Sequence, residues 1–255
     1  MPRRKAAPLD ISLHGLPEGL DVEIQVAVAK VGKWATSESG DTLEMIERPH
    51  GGLSFVLVDG QRSGRPAKAI SNLVARKAIS LLAEGVRDGA AARAAHDYLF
   101  THKGGKVSAT LNILSVDLTS NTLVLSRNSH CPAIVVTSDG QLQVLDEPSQ
   151  PVGVRRSTKP QIAELPLVAG IVIVIYTDGL GAAGVRSSCT LDVPAVVCEL
   201  MSQDNASAQQ MADGLLQRAL TLEENRPHDD ISVLVLRVLE REGDRVRRLA
   251  VQLPI

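Results

Sequence analysis

The chain has 255 residues, enough for one large domain or two small ones, and we expect one. Hydrophobic residues make up 44% and aromatic residues only 2%, so the core must be built from aliphatic side chains, a composition that favours strands covered by helices. The formal net charge of -2 creates no field that would attract nucleic acid or an anionic membrane, so neither partner is indicated.

The three cysteines, Cys131, Cys189 and Cys198, have neither the number of a disulfide framework nor the spacing of a zinc site. We interpret them as buried structural thiols in a reducing cytoplasm. The basic start, Met1 to Lys5, is not followed by the apolar stretch of a secretory signal. The longest apolar run, Leu165 to Tyr176, is about half of what a membrane span requires and is interpreted as a buried strand.

Residues 1–20 lack periodicity and predict an N-terminal extension. Strict alternation predicts a first strand over 21–31, and a β-rich run over 53–58 predicts another that ends at Asp59. A long amphipathic helix is predicted from Pro66, because proline is favoured in the first helical turn. A second helix is predicted over 88–98.

The rest of the chain alternates strand clusters with helix pairs. Strands are predicted at 107–116, 122–126, 133–136, 142–145, 171–176 and 231–238, and helices at 193–201 and 206–222. Asp139-Gly140 predicts a hairpin turn between the strands at 133–136 and 142–145. This order lacks the regular β-α-β rhythm of a parallel sheet, so we predict an α+β protein of stacked antiparallel sheets with helices outside.

We predict that the main domain spans 21–240, followed by a tail over 241–255. The tail carries a run of arginines before an apolar stretch. It is interpreted as a partner-binding arm, a solvated segment or an added edge strand, and the sequence leaves these alternatives open.

Four aspartates, Asp41, Asp59, Asp178 and Asp229, each stand where a strand ends or a turn begins. A single Asp-Gly pair is usually only a turn. Several carboxylates that converge on one place repel one another unless a cation neutralises them, and oxygen donors without His or Cys favour magnesium or manganese. Gly60 has no side chain, so its carbonyl can approach a metal closely. The sequence therefore predicts a magnesium or manganese site.

Motifs in a fixed order surround these residues. They are Ser39-Gly40-Asp41, Val58-Asp59-Gly60 with Gly64 and Pro66-Ala67, Pro151-Val152-Gly153-Val154, Tyr176-Thr177-Asp178-Gly179-Leu180 and Asp229-Asp230-Ile231-Ser232. Over residues 21–238 the chain thus resembles the metal-dependent type 2C (PPM) protein phosphatases, and among them the bacterial SpoIIE, RsbU and RsbX group. Three departures stand out: Gln61-Arg62-Ser63 replaces the group's Met-Gly-His, His130 stands where Gly is usual, and no acidic residue follows Leu180.

The resemblance implies an α-β-β-α sandwich with two Mn²⁺ or Mg²⁺ ions at one edge. Asp59 would bridge both ions, the carbonyl of Gly60 would bind one, and Asp178 and Asp229 would bind the other. Asp41 would act in the same cluster, directly or through water, and Asp230 would support the ligands from behind. Two such ions lower the pKa of a water and orient a phosphoryl group for in-line attack, so no covalent enzyme intermediate is needed.

Four basic residues, Lys30, Lys33, Arg62 and Arg65, flank the acidic motifs and are candidates for binding substrate phosphate, with Arg65 preferred and Lys33 next. Solvated surface cations are the alternative interpretation. His228 is a candidate general acid for the leaving alkoxide, although a hydrogen-bonded structural histidine is the common alternative beside a turn.

The resemblance implies a serine/threonine phosphatase that acts on a phosphorylated signalling protein, namely a STAS-domain regulator in a sigma-factor pathway of the stress response. About twenty residues precede the first strand, an arrangement similar to the stand-alone RsbX type. A binding module of the same fold with little or no activity, and a phosphatase for small phosphate esters, are the alternatives. The sequence leaves the oligomeric state open.

Overall fold

The structure is a computed structural model that describes residues 21–203 and 206–252, so the predicted extension over 1–20 lies outside the described residues. It contains two five-stranded antiparallel sheets. With strands numbered in chain order, sheet A runs β1 (Val22–Val31), β10 (Ile231–Glu240), β9 (Val172–Tyr176), β6 (Ala133–Val136), β7 (Leu142–Leu145). Sheet B runs β2 (Asp41–Glu47), β3 (Leu53–Gly60), β4 (Ala109–Asp117), β5 (Thr122–Asn128), β8 (Gln161–Pro166).

Helices cover the outer faces of both sheets. Sheet B is covered by α1 (Gly64–Ala83) and α2 (Asp88–Lys103), and sheet A by α4 (Val193–Met201) and α5 (Ala208–Leu222). A single helical turn, α3 (Asp178–Gly181), follows β9 directly. The predicted α+β class and its α-β-β-α sandwich are confirmed. None of the described helices is long and apolar enough to cross a membrane.

Three apolar layers hold the sandwich together. The inner layer lies between the sheets and includes Leu57, Leu114, Ile173 and Leu234, all at most 1% exposed. The two outer layers lie under the helix pairs. Aliphatic residues supply nearly all of this core, as the low aromatic content requires, since branched side chains pack well on pleated sheets.

Most of the predicted elements occur within a few residues of the expected bounds, but two strands were not predicted. Both β2 and β8 lie at edges of sheet B and are only half-buried, so neither shows a clear apolar alternation. The run from Leu165 to Tyr176, interpreted as one buried strand, is two strands separated by a turn at Gly170, whose φ is +93°. Only glycine adopts this φ freely.

The cysteine interpretation is correct for Cys131, which is buried, and wrong for Cys189 and Cys198, which are exposed. Cys198 lies on the exposed side of α4, where the other side packs on sheet A. Residues 241–252 form neither helix nor strand, and most of their side chains are exposed. The tail nevertheless contacts the domain, because Arg247 donates a hydrogen bond to the carbonyl of Gly51 at 2.9 Å.

Strand register brings the acidic motifs to one end of the sandwich. In the β2–β3 ladder Asp41 is paired directly with Asp59, and residues that face each other in this way project from the same side of a sheet. In the β1–β10 ladder Val31 is paired with Ile231, which places the segment around Asp229 beside the end of β1. Asp178 follows the last residue of β9, the other neighbour of β10.

Candidate active site

A cleft of about 430 Å³ lies at this end of the sandwich, and three predicted ligands line it: Asp59, Asp178 and Asp229. They come from sheet B, from the turn after β9 and from the loop before β10. Gly60 lines the same cleft. The structure thus brings together residues that are far apart in the chain, and it places them on segments that begin or end in buried strands.

Hydrogen bonds join the end of β9, which precedes Asp178, to the start of β10, which follows Asp229. The amide of Thr177 donates to the carbonyl of Ser232 at 3.0 Å, and the amide of Ser232 donates to the hydroxyl of Thr177 at 3.0 Å. Both residues are buried. The positions of the two cleft aspartates are therefore set by the sheet, with little freedom left to the loops.

Asp41 lies behind the cleft and is only 1% exposed. Its Oδ2 accepts hydrogen bonds from the hydroxyls of Ser232 at 2.6 Å and Thr177 at 3.0 Å, whereas its Oδ1 is buried without a hydrogen-bond partner among the described residues. Its carbonyl accepts bonds from the ammonium groups of Lys30 and Lys68, each at 2.6 Å. Asp41 is thus held rigidly beside Asp59, with one carboxylate oxygen still unpaired.

The carboxylate of Asp230, predicted to support the ligands, binds two backbone amides. Its Oδ1 accepts a hydrogen bond from the amide of Lys33 at 2.8 Å, and its Oδ2 accepts one from the amide of Gly40 at 2.7 Å. Asp230 therefore ties both ends of the loop between β1 and β2 to the start of β10. This loop contributes Lys33 to the cleft.

The glycines that follow Asp59 and Asp178 have a packing role that the sequence did not show. A β-carbon on Gly60 would lie 2.1 Å from the carbonyl oxygen of Ala67 in α1, and one on Gly179 would lie 2.2 Å from the carbonyl oxygen of Asp230. Any side chain would collide with backbone at both places. Glycine therefore lets the acidic turns pack closely against their neighbours.

The carboxylates raise one another's pKa values. Burial, followed by the charges of Asp41, Asp178 and Asp229, raises the pKa of Asp59 to about 9. Burial also raises the pKa of Asp41 to about 6, although the hydroxyls of Ser232 and Thr177 oppose this shift. Partial loss of hydration raises the pKa of Asp229 as well. A site of this kind gains free energy when cations replace protons as the neutralising charge.

The donor set fits Mg²⁺ or Mn²⁺, since it consists of carboxylate and backbone oxygens. Among the described residues, no group of three or more His, Cys, Asp or Glu side chains is close enough to form a ready-made cage. Mg²⁺ usually keeps several waters and binds only one or two carboxylates, so an open arrangement of this kind is compatible with it. The buried, unpaired Oδ1 of Asp41 is a further oxygen beside Asp59.

Of the basic residues considered for phosphate binding, Lys33 and Arg62 line the cleft, whereas Arg65 does not. Arg65 is exposed in the first turn of α1, which begins at Gly64. Lys30 has a structural role, because its ammonium binds the carbonyl of Asp41. Of the four lysines and arginines considered, Lys33 and Arg62 are thus the two that line the cleft.

Arg62 has a backbone conformation that is unusual for a residue with a side chain. Its φ is +78°, in the left-handed region that glycine adopts without strain. In the motif that this turn resembles, glycine occupies the same position. The chain thus keeps the geometry of the turn but introduces a cation into the cleft at a cost of about 1–2 kcal/mol.

His228 is not placed for the proposed acid role. Its Nδ1 is bound to the carboxylate of Glu223, its amide donates to Glu223 Oε2 at 3.1 Å, and it does not line the cleft. The histidine that lines the cleft is His130, whose Nε2 lies 3.4 Å from Asp178 Oδ2. This contact raises the pKa of His130 to about 10.

Sequence reasoning missed the roles of Thr177, Ser232 and Lys68, which hold Asp41 in place. Thr177 and Ser232 belong to the same motifs as Asp178 and Asp230, so their position in these motifs was a usable signal. Lys68 lies on the buried side of the first turns of α1, and only the docking of this helix brings it to Asp41.

Solved structures with this fold include several protein phosphatases. The PP2C phosphatase domain of Bacillus subtilis SpoIIE, with a fragment of its regulatory domain, matches with a TM-score of 0.75 and 18% identity over 87% of this chain and 65% of that one. PstP in complex with two manganese ions matches with a TM-score of 0.62 and 15% identity over 86% and 99%. RsbX in complex with magnesium matches with a TM-score of 0.58 and 17% identity over 85% and 98%.

At these identities the likeness establishes the fold, and the chain spans 65% of the length of the SpoIIE structure. No curated protein sequence matches the chain. The sequence profile of the family described as Stage II sporulation protein E (SpoIIE) matches residues 49–239, which is more than half of the chain. The chain therefore belongs to the SpoIIE family. The predicted family is confirmed.

The raised pKa of Asp59 predicts a pH-dependent instability of the metal-free protein. Because the folded state keeps a proton that the unfolded state releases above about pH 4, stability should fall as the pH rises from about 4 to about 9. Asp59→Asn removes this titration. In chelator, we expect the variant to exceed the wild type by at least about 1 kcal/mol near pH 8, and by less near pH 5.

Thermal unfolding in chelator at both pH values measures this difference. Asp97→Asn, at an exposed position of α2, is the matched control and should follow the wild type. The idea is wrong if Asp59→Asn and the wild type show the same pH dependence.

Proposed function

We propose that this protein is a manganese- or magnesium-dependent phosphatase that removes phosphate from phosphoserine or phosphothreonine of a signalling protein. The observation that carries the proposal is the convergence of Asp59, Asp178 and Asp229 in one cleft at the edge of a SpoIIE-family sandwich. The RsbX and PstP structures, which contain magnesium and manganese, support the choice of ion.

In this proposal Asp59, Asp178, Asp229 and the carbonyl of Gly60 hold two divalent ions. When bound, the ions activate a water and neutralise charge on the phosphoryl group. Asp41, paired with Asp59 in the β2–β3 ladder, offers its unpaired Oδ1 to the same cluster, directly or through water. Asp230 keeps the loop that carries Lys33 in place.

Lys33 and Arg62 bind the phosphate dianion of the substrate, since both line the cleft and a fixed positive charge favours a dianion. No side chain is assigned as a nucleophile, because water attacks directly. We leave His228 out of the reaction, since Glu223 holds it. The exposed thiols of Cys189 and Cys198 are compatible with the reducing cytoplasm that we propose as the location.

The substrate that we propose is a phosphorylated STAS-domain regulator of a sigma-factor pathway, as the resemblance to the SpoIIE group implies. The open cleft at the edge of the sandwich suits a phosphoserine presented on the surface of a folded partner. Crowded carboxylates destabilise the fold when no ion is bound, and a binding module without catalytic activity would not need them.

The first prediction from this mechanism is that Asp178→Ala abolishes hydrolysis of p-nitrophenyl phosphate, by at least about a hundredfold, while the fold is retained. The matched control is Asp139→Ala, which changes another Asp-Gly turn that lies outside the cleft. It should keep full activity. Chelator should abolish the wild-type activity and added manganese should restore it. Full activity of Asp178→Ala, or resistance to chelator, would exclude the two-metal assignment.

Arg62 provides a second prediction, in which stability and activity change in opposite directions. Arg62→Gly relieves the left-handed backbone and should stabilise the fold by about 1 kcal/mol. Loss of the cation should raise KM for p-nitrophenyl phosphate about tenfold, and Arg62→Lys should restore part of the affinity. His50→Gly, at an exposed residue with a φ of +66°, should stabilise the protein without changing KM. An unchanged KM in Arg62→Gly would remove Arg62 from the phosphate site.

The third prediction concerns the partner. With manganese, the protein should dephosphorylate phosphorylated STAS-domain proteins of its own organism with a kcat/KM at least about tenfold above that for an unrelated phosphopeptide, because docking contacts add to the binding of the phosphate. Release of phosphate measured on both substrates decides this. Equal rates would argue against a dedicated STAS partner and leave the phosphatase proposal intact.

A further inference from the structure

The only tryptophan of the chain, Trp34, is exposed to 59% at the margin of the cleft. Its neighbour Lys33 lines the cleft, and its own amide donates a hydrogen bond to the carbonyl of Pro227 at 2.8 Å. Pro227 precedes the cleft residue Asp229 by two positions. The backbone of Trp34 is thus attached to the segment that leads to Asp229, next to a residue that lines the cleft.

The loop that carries Trp34 is rigidly built. Asp230 accepts the amides of Lys33 and Gly40, as described above, and so fixes both ends of the loop. Between them, the amide and the hydroxyl of Thr36 both donate to the carbonyl of Lys33, at 3.2 and 2.7 Å, which closes a turn around Trp34. An exposed indole on a loose loop would lose entropy on binding, whereas this one is already ordered.

A cation accompanies the indole. The guanidinium of Arg226 lies over the Trp34 ring, 5.4 Å from its centroid. Among the described residues, no Asp or Glu forms an ion pair with Arg226. The pair therefore presents both a positive charge and an exposed aromatic surface. Trp and Arg are enriched among the residues that contribute most of the binding energy in protein interfaces.

We infer that Trp34 and Arg226 form a docking site for the polypeptide that surrounds the phosphoserine of the substrate. The inference rests on the proposed function and adds a second contact region to it. Lys33 and Arg62 bind the phosphate, while the indole packs on an apolar side chain near the phosphoserine and Arg226 pairs with an acidic group of the same segment. An acidic phosphorylated polypeptide matches the charge of Arg226, whereas a small aryl phosphate has no polypeptide segment that could contact Trp34 and Arg226.

The test compares two substrates in the full-length protein with manganese: a short phosphoserine peptide without Trp, and p-nitrophenyl phosphate. Trp34→Ala should raise KM for the peptide about tenfold and leave kcat/KM for p-nitrophenyl phosphate within about twofold of the wild type. Arg226→Ala should act in the same direction, and Arg226→Lys should be milder because it keeps the charge over the ring. Tyr98→Ala removes another exposed aromatic, on α2, and should change neither substrate.

A second readout does not depend on turnover. Because Trp34 is the only tryptophan, its fluorescence should change when the protein with magnesium is titrated with the same peptide carrying a non-hydrolysable phosphonate. Equal losses on both substrates in Trp34→Ala, or an unchanged peptide KM with unchanged fluorescence, would overturn the inference. Absence of hydrolysis of p-nitrophenyl phosphate by the wild type would instead refute the proposed function, and the fluorescence titration would still decide whether Trp34 contacts the peptide.

Discussion

Repulsion among carboxylates gathered at one end of the sandwich is the constraint on which the rest of this site depends. Asp59 is largely buried, lies beside Asp41 in the β2–β3 ladder and shares the cleft with Asp178 and Asp229. Burial and these neighbouring charges together disfavour its negative charge. A chain free to relax would move these groups apart. Here the strands that carry them are paired along their full length and covered by helices, so the free energy of the core holds the charges together.

The surrounding polar groups serve this arrangement in different ways. The hydroxyls of Thr177 and Ser232 donate hydrogen bonds to one carboxylate oxygen of Asp41. The ammonium groups of two lysines donate to its backbone carbonyl. The carboxylate of Asp230 accepts hydrogen bonds from two backbone amides, and these bonds connect the loop after β1 to the start of β10. Asp59 and Asp229 lie on the cleft side, and burial raises the pKa of both, so divalent ions would stabilise this side most.

The same loop connects chemistry and recognition. It carries Lys33 into the cleft and presents Trp34 at its margin, and its geometry depends on Asp230, a member of the last acidic motif. The turn after Asp59 also combines two features, since Arg62 has a glycine-like backbone conformation and adds a cation to the cleft. Both segments depart from the group's usual motifs or lie outside them, which is where features particular to this protein would be expected.

Local sequence patterns determined the fold class and the acidic residues of the site, because strand alternation, helix periodicity and Asp-Gly turns are properties of neighbouring residues. The edge strands β2 and β8 were not predicted, because half-buried edge strands have only a weak alternation of apolar residues. Only tertiary structure decided which of the four considered basic residues line the cleft: Lys33 and Arg62 do, Arg65 does not, and the ammonium of Lys30 donates to the carbonyl of Asp41. It likewise decided that His228 is bound by Glu223 and that His130 lines the cleft. The direction of a side chain on a turn or a first helical residue depends on how whole elements pack against each other, and the spacing of letters along a chain does not contain that information.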